Sequence, residues 1–295
     1  MSLTSTPASR LLLPIGMLVF AMVSIQSGAT LAKSMFPLVG AQGTTTLRLF
    51  FASLIMLAVL RPWRARLNAS AWRSVIVYGI ALGGMNLLFY MAVRSIPLGV
   101  AVALEFTGPL AVALFASRRM IDYVWIVLAV AGLFMLIPLG AGQGSVDLFG
   151  AACALGAGAC WALYILFGQR AGAEHGVQSA ALGVVVATLF VAPIGIAHSG
   201  AALLDLSLVP VALAVAILST ALPYSLEMIA LTRMPARTFG ILMSVEPVVA
   251  ALTGLVFLGE VLSDLQWIAI GAIITASIGA TLTTRTPSAP PVAAD

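Results

Sequence analysis

Apolar residues fill this chain in blocks of roughly twenty, the length a helix rising 1.5 Å per residue needs to cross about 30 Å of hydrocarbon. The blocks lie at 12–32, 43–60, 74–93, 98–116, 123–139, 148–168, 179–197, 208–231, 238–258 and 265–283, each ended by polar residues, glycine or proline. None alternates polar and apolar positions with a period of two, so a membrane barrel is rejected. The pattern predicts an all-α integral membrane protein with ten transmembrane helices. The first block follows Arg10 and closes on small residues near Ala32, as a signal peptide would, but 11–31 is long enough to span the bilayer.

Composition agrees with the pattern. Of 295 residues, 8% are charged and 61% hydrophobic, against roughly 25% charged in a soluble domain. Such a chain has too few charges for a water-facing exterior, and in lipid its backbone groups must bond within their own segments. The net charge of +4 does not indicate a nucleic-acid partner, because the basic residues stand in small groups between apolar blocks. With ten spans, loops on the N-terminal side carry Arg10, Arg61, Arg64, Arg66, Arg73, Arg118, Arg119, Arg170, Arg233, Arg237 and Arg285, and the opposite loops carry Lys33 and Arg94. The bias places both termini in the cytoplasm. Cys153 and Cys160, seven apart in one expected helix, stand about 10.5 Å apart, beyond disulfide reach.

The stretch MNLLFYMAVRSIPLGVAVALEFTGP, Met85 to Pro109, aligns without a gap on PYSLEMIALTRMPARTFGILMSVEP, Pro223 to Pro247. Pro97/Pro235, Pro109/Pro247, Leu88/Leu226 and Ala92/Ala230 all share one offset of 138 residues. That register predicts two five-helix repeats, 1–141 and 142–285, followed by a disordered cytoplasmic tail at 286–295. Since five is odd, the second copy inserts upside down. Inverted repeats build transporters, with a site near the midplane between halves that opens to each side in turn.

The turn Ile96 to Gly99 with VAVALEFTGPLAVALF from Val100 to Phe115, the stretch Ala154 to Gly176, and AILSTALPYSLEMIALTRMPARTFG from Ala216 to Gly240 closely resemble the bacterial threonine/homoserine exporters of the drug/metabolite transporter superfamily, an EamA-like ten-helix exporter family. Gly83 to Asn86, Glu246-Pro247 and Phe257 to Glu260 belong to the same pattern, and the resemblance covers nearly the whole chain. It implies an inner-membrane location, efflux of amino acids such as threonine and homoserine, and proton antiport. Related members export drugs or nucleosides, because fold does not fix function.

Ionisable groups inside hydrocarbon cost on the order of 2.5 to 3.5 kcal/mol each, which singles out Arg48, Glu105, Glu227 and Glu246. Arg48 and Glu105 sit at similar depth and are expected to interact, as a structural ion pair or as two poles receiving a zwitterion. Glu246 precedes Pro247, whose ring leaves a carbonyl unpaired. Glu105 and Glu246 are the expected coupling carboxylates, since a carboxyl group exposed alternately to either side can take up and release a proton. Glu227 is either part of this set or an interfacial partner of Arg233 or Arg237. Gln26, Ser27, Asn86, Tyr90, Trp161, Tyr164 and Tyr224 are cavity-wall candidates, although a single Ser, Asn or Tyr in a helix more often serves packing or an interhelical hydrogen bond. Trp63, Trp72, Tyr123 and Trp125 read as the interfacial belt.

Gly79/Gly83, Gly150/Ala154/Gly158 and Gly271/Thr275/Gly279 repeat small residues every four positions, a pattern for close helix packing within the chain or across a homodimer. The expected partners are a small polar metabolite, an amino acid foremost, and membrane lipids. Asp122, Asp147, Asp205 and Asp264 fall at span ends, as do His175 and His198, and no protease, hydrolase, Walker or metal motif appears. No enzyme and no cofactor are therefore expected. An uncoupled uniporter fits the residues as well as an antiporter does.

Overall fold

The computed structural model describes residues 7–64, 67–116, 120–136, 147–223, 226, 227, 230 and 242–283. Among the described residues every regular element is helical: α1 (Pro7–Lys33), α2 (Phe36–Leu60), α3 (Ala69–Val93), α4 (Leu98–Glu105), α5 (Thr107–Ala116), α6 (Met120–Leu136), α7 (Leu148–Ser199), α8 (Val209–Ala216), α9 (Glu246–Leu258) and α10 (Asp264–Thr283). Among the described residues, five stretches are long and apolar enough to cross a membrane: Leu13–Lys33, Phe36–Leu60, Ala69–Val93, Leu148–Gly168 and Gln178–Leu204. Shorter apolar helical stretches cover 98–112, 123–135, 206–221, 246–258 and 264–280.

Burial inverts the pattern of a soluble protein. Val59, Val127, Leu189 and Val256 are each about two-thirds exposed or more, whereas the interior is dominated by alanine with buried Thr44, Thr45 and Thr46. Large apolar side chains face lipid, and small ones let backbones approach. The three threonine hydroxyls donate to carbonyls four residues back, at Gly40, Ala41 and Gln42. These three hydroxyls are thereby satisfied without water.

Among the described residues, three expected spans are interrupted or distorted within their length. The fourth is broken at Phe106 into α4 and α5, because Pro109 lacks an N–H and its ring clashes with the carbonyl at position 105. A second break at Ser244–Val245 precedes Pro247 in the ninth span. Phe106 and Ser244 are again 138 apart. The eighth span passes from α8 into a π-helical turn, Ile217–Ala221.

The sixth and seventh spans, expected as separate helices, share one run of helical backbone, the 52-residue α7. A Cβ on Gly84 would come within 3.2 Å of Cys160 Sγ, and one on Gly83 within 3.1 Å of the Ala187 carbonyl. A straight helix would hold residues 160 and 187 about 40 Å apart. The run therefore doubles back, and both limbs pack on α3. Gly79 meets Gly183 and Val186, Gly150 meets Ser95 and Ile96, and Gly158 meets Glu105, so the first two small-residue series serve packing within the chain. Gly271 faces open space, and Gly279 receives Trp125, which withdraws that tryptophan from the simple interfacial reading. Trp63, Trp72 and Tyr123 remain exposed. Cys153 and Cys160 are free, as their spacing predicts.

Segment ends assigned to one side by the charge pattern converge at one end of the bundle. Lys33 Nζ lies 2.6 Å from Glu260 Oε1, and the Leu98 N–H donates to Glu260 Oε2 at 2.7 Å. Asp147 caps α7 by accepting the Gly150 N–H and also accepts the Ser95 hydroxyl, each at 2.8 Å. Those bonds hold the Asp147 carboxyl below its ordinary pKa, the Gly150 amide contributing most and the serine next.

Candidate functional site

The buried ionisable groups gather where α1, α2, α4, α9 and the π-turn meet. Arg48 lies on α2 and is 6% exposed. Its Nη2 donates to the Ser219 carbonyl at 2.9 Å, its Nη1 to the Tyr90 hydroxyl at 3.1 Å, and its Nε toward Thr220 Oγ1 at 3.4 Å. The guanidinium also lies over the Tyr90 ring, 5.3 Å from its centroid. A guanidinium has five N–H groups, so two remain unspent by these bonds.

The π-turn explains this cradle. Widening a helix to the π geometry releases carbonyls from their usual partners, a feature common at functional sites. Ser24 of α1 donates to the Leu218 carbonyl at 2.7 Å, and Arg48 takes the next one. Gly28 lies directly against the Ser219 hydroxyl, leaving no space for a side chain.

Two residues from Ser24, Gln26 is 1% exposed, and its Nε2 donates to Glu246 Oε1 at 3.0 Å. Glu246 opens α9, where the helix dipole favours a negative group. Glu105 ends α4, where the dipole opposes one. It makes no hydrogen bond or ion pair among the described residues, and lies within electrostatic reach of Glu246 and Arg48. Of the two forms expected for the Arg48–Glu105 interaction, the direct ion pair is not formed in this structure, where the guanidinium is engaged by Ser219, Tyr90 and Thr220. Gln26 Oε1, Glu246 Oε2, Glu227 Oε1 and Ser219 Oγ are buried acceptors without a partner among the described residues, and each such group costs about 1 to 3 kcal/mol unless a donor reaches it.

The remaining candidates divide. Tyr90 is fully buried and belongs to the cradle. Asn86 is buried and donates to the Leu82 carbonyl in its own helix. Trp161 meets Phe106 edge-on at 5.5 Å, beside the α4–α5 break, and Tyr164 stacks on Tyr78 at 4.9 Å. Ser27 is half-buried on α1. Tyr224, Arg233 and Arg237 lie outside the described residues, so the Glu227 pairing alternative is not seen. The sequence reading passed over Ser24, Gly28, Ser219 and Thr220; an adjacent Ser-Thr pair inside an apolar span could have drawn notice to the last two.

The EamA-like transporter family profile matches residues 148–282. Over 273 residues, covering 92% of each chain, the sequence is 61% identical to the threonine/homoserine exporter RhtA of Escherichia coli strain K12. The Salmonella typhimurium LT2 protein of that name is 60% identical over the same length. An uncharacterized transporter, YwfM of Bacillus subtilis, is 26% identical over 231 residues, 75% of this chain and 77% of its own. A solved crystal structure with 21% identity superimposes with a TM-score of 0.57, covering 93% of this chain and 98% of the other, a likeness of fold.

Proposed function

Because the chain belongs to the EamA-like transporter family, whose members at this similarity are membrane exporters, we propose that it exports threonine and homoserine across the bacterial inner membrane, with both termini cytoplasmic. Ten spans in two inverted five-helix repeats, 1–141 and 142–285, give the alternating access. The matched breaks at Phe106 and Ser244 support this, as does a family match confined to 148–282. So does the gathering of Lys33, Leu98 and Glu260 at the end that the arginine bias assigns to the outside.

The observation that carries the amino-acid reading is the pairing of opposite deficits in the buried cluster. Arg48 has unspent N–H groups, the need of a carboxylate, while Glu246 and Gln26 offer acceptors lacking donors, the need of an ammonium. A zwitterion satisfies both at once. In the proposed cycle, Glu105 and Glu246 exchange a proton for the solute as access alternates, and Arg48 holds the carboxylate.

The test is overexpression in cells loaded with labelled threonine or homoserine. Label should leave faster than from cells carrying the empty vector, and growth should tolerate higher amino-acid loads. Unchanged retention of every amino acid tested would transfer the reading to a drug or other small metabolite. If efflux were found but proved indifferent to the proton gradient, the uncoupled uniporter would replace the antiporter.

A further inference from the structure

A cavity of about 590 Å³, whose lining includes none of the buried carboxylates, lies at the end of the bundle where Lys33 meets Glu260. Its walls include Lys33, Phe36, Gly40, Arg94, His198 and Ser199. Lys33 is already paired with Glu260, so the charge in excess is that of Arg94, which is exposed and has no ion pair among the described residues.

The cavity is constructed rather than a gap between loops. Gly40 adopts φ +65, a left-handed conformation inside α2 that favours glycine. A Cβ there would come within 2.9 Å of His198 Nε2, so the glycine seats the imidazole as well as bending the helix. Ser199 Oγ donates to the Val39 carbonyl at 2.6 Å, fastening the end of α7 to the start of α2. The inner wall leads to the buried cluster: the Phe36 ring lies 5.9 Å from that of Tyr90, whose hydroxyl holds Arg48.

We propose that this cavity is an outer station for the carboxylate of the departing amino acid, with Arg94 and His198 as its donors and the Phe36–Tyr90 contact separating it from Arg48. Arg94 supplies a planar fork suited to two-point contact with a carboxylate, and His198 a further N–H. Solute leaving Arg48 would thus pass between two cationic positions instead of entering apolar surroundings. The inference rests on the export reading.

The full-length protein is studied in right-side-out and inside-out membrane vesicles by exchange of labelled homoserine against unlabelled homoserine on one face at a time. Arg94→Ala is expected to raise the half-saturating concentration on the outer face about tenfold, the worth of one charge-assisted contact. The inner-face value should stay within twofold. Arg94→Lys is expected to recover part of the loss, and Gly40→Ala, which displaces His198, to shift the outer face in the same direction as Arg94→Ala. An unchanged outer-face value in Arg94→Ala, or equal shifts on both faces, overturns the station and leaves the export reading standing. So does an outer-face shift that disappears when anionic lipids are removed, which would assign the cavity to a lipid headgroup. Wild-type vesicles that exchange no amino acid overturn the export reading and the station together.

Discussion

Arg48 is the residue on which the buried cluster is organised, and its shape matters as much as its charge. Its three anchors, Ser219, Tyr90 and Thr220, engage all three guanidinium nitrogens. An ammonium cannot reproduce that fork. Arg48→Lys should therefore lower transport efficiency by about 10- to 100-fold while protein still reaches the membrane, or about 1.4 to 2.8 kcal/mol at 1.4 per decade. Label efflux normalised to membrane content measures it. For Glu105 and Glu246, replacement by glutamine should abolish the response of efflux to an imposed proton gradient; a double variant retaining full dependence would falsify the coupling assignment. Asp147 supplies a pH prediction away from the membrane. Its depressed carboxyl contributes stability that is present above the ordinary carboxylate value and lost as pH falls through the depressed one. Ser95→Ala, which removes the 2.8 Å hydroxyl contact, should move the acid edge of unfolding in detergent to higher pH. At this scale much was legible in advance. Arg48, Glu105 and Glu246 stand out in apolar blocks, and Glu105 lies within electrostatic reach of the other two, yet the hydrogen-bond partners were not readable, because Gln26–Glu246 joins residues 220 apart.

The elements bear the cluster through irregularities. Two spans break ahead of prolines and a third widens into a π-turn, so three helices present backbone ends or freed carbonyls inside the bundle. The prolines were visible in sequence and so was their shared offset. The exact break was not, since proline disturbs the helix at the preceding turn and packing decides where it parts. Among the described glycines, the closest approach is that of α5 on α7. A Cβ on Gly158 would come within 2.6 Å of the Glu105 carbonyl, and one on Gly108 would collide with the Gly158 backbone. Gly158→Ala should destabilise the protein by about 1 to 3 kcal/mol, the usual cost of overpacking, and reduced midpoint temperature in detergent is the readout. The reversal within α7 agrees with the two spans expected at 148–168 and 179–197, and contacts of α3 with both limbs carry it. What the sequence did not show is that helical backbone continues through the residues between them.

Over the whole molecule, Glu260 ties the end of α1, the start of α4 and the segment after α9, so one carboxylate bridges both proposed repeats. A partly exposed ion pair alone contributes about 0 to 1 kcal/mol, while the added amide bond makes Glu260 costlier to remove. A conformer open at this end must part those elements. Glu260→Gln should shift the balance toward opening, read as faster thiol labelling of Phe36→Cys in a Cys153→Ala/Cys160→Ala background. Slower or equal labelling would show that the contact does not close this end. The Phe257 to Glu260 motif was recognised in sequence only as part of a resemblance, because nothing in a linear chain says that position 260 faces position 33.

The break at Phe106 also bears on how the protein is made. The ribosome releases the fourth span before the sixth, and that span carries an acidic group and an interrupted backbone that lipid cannot accommodate cheaply. Its natural cover, the glycine face around Gly158, has not yet been synthesised. Early segments must therefore wait at the translocon or lie provisionally until later ones arrive, which makes biogenesis of this chain an assembly problem rather than a succession of independent insertions.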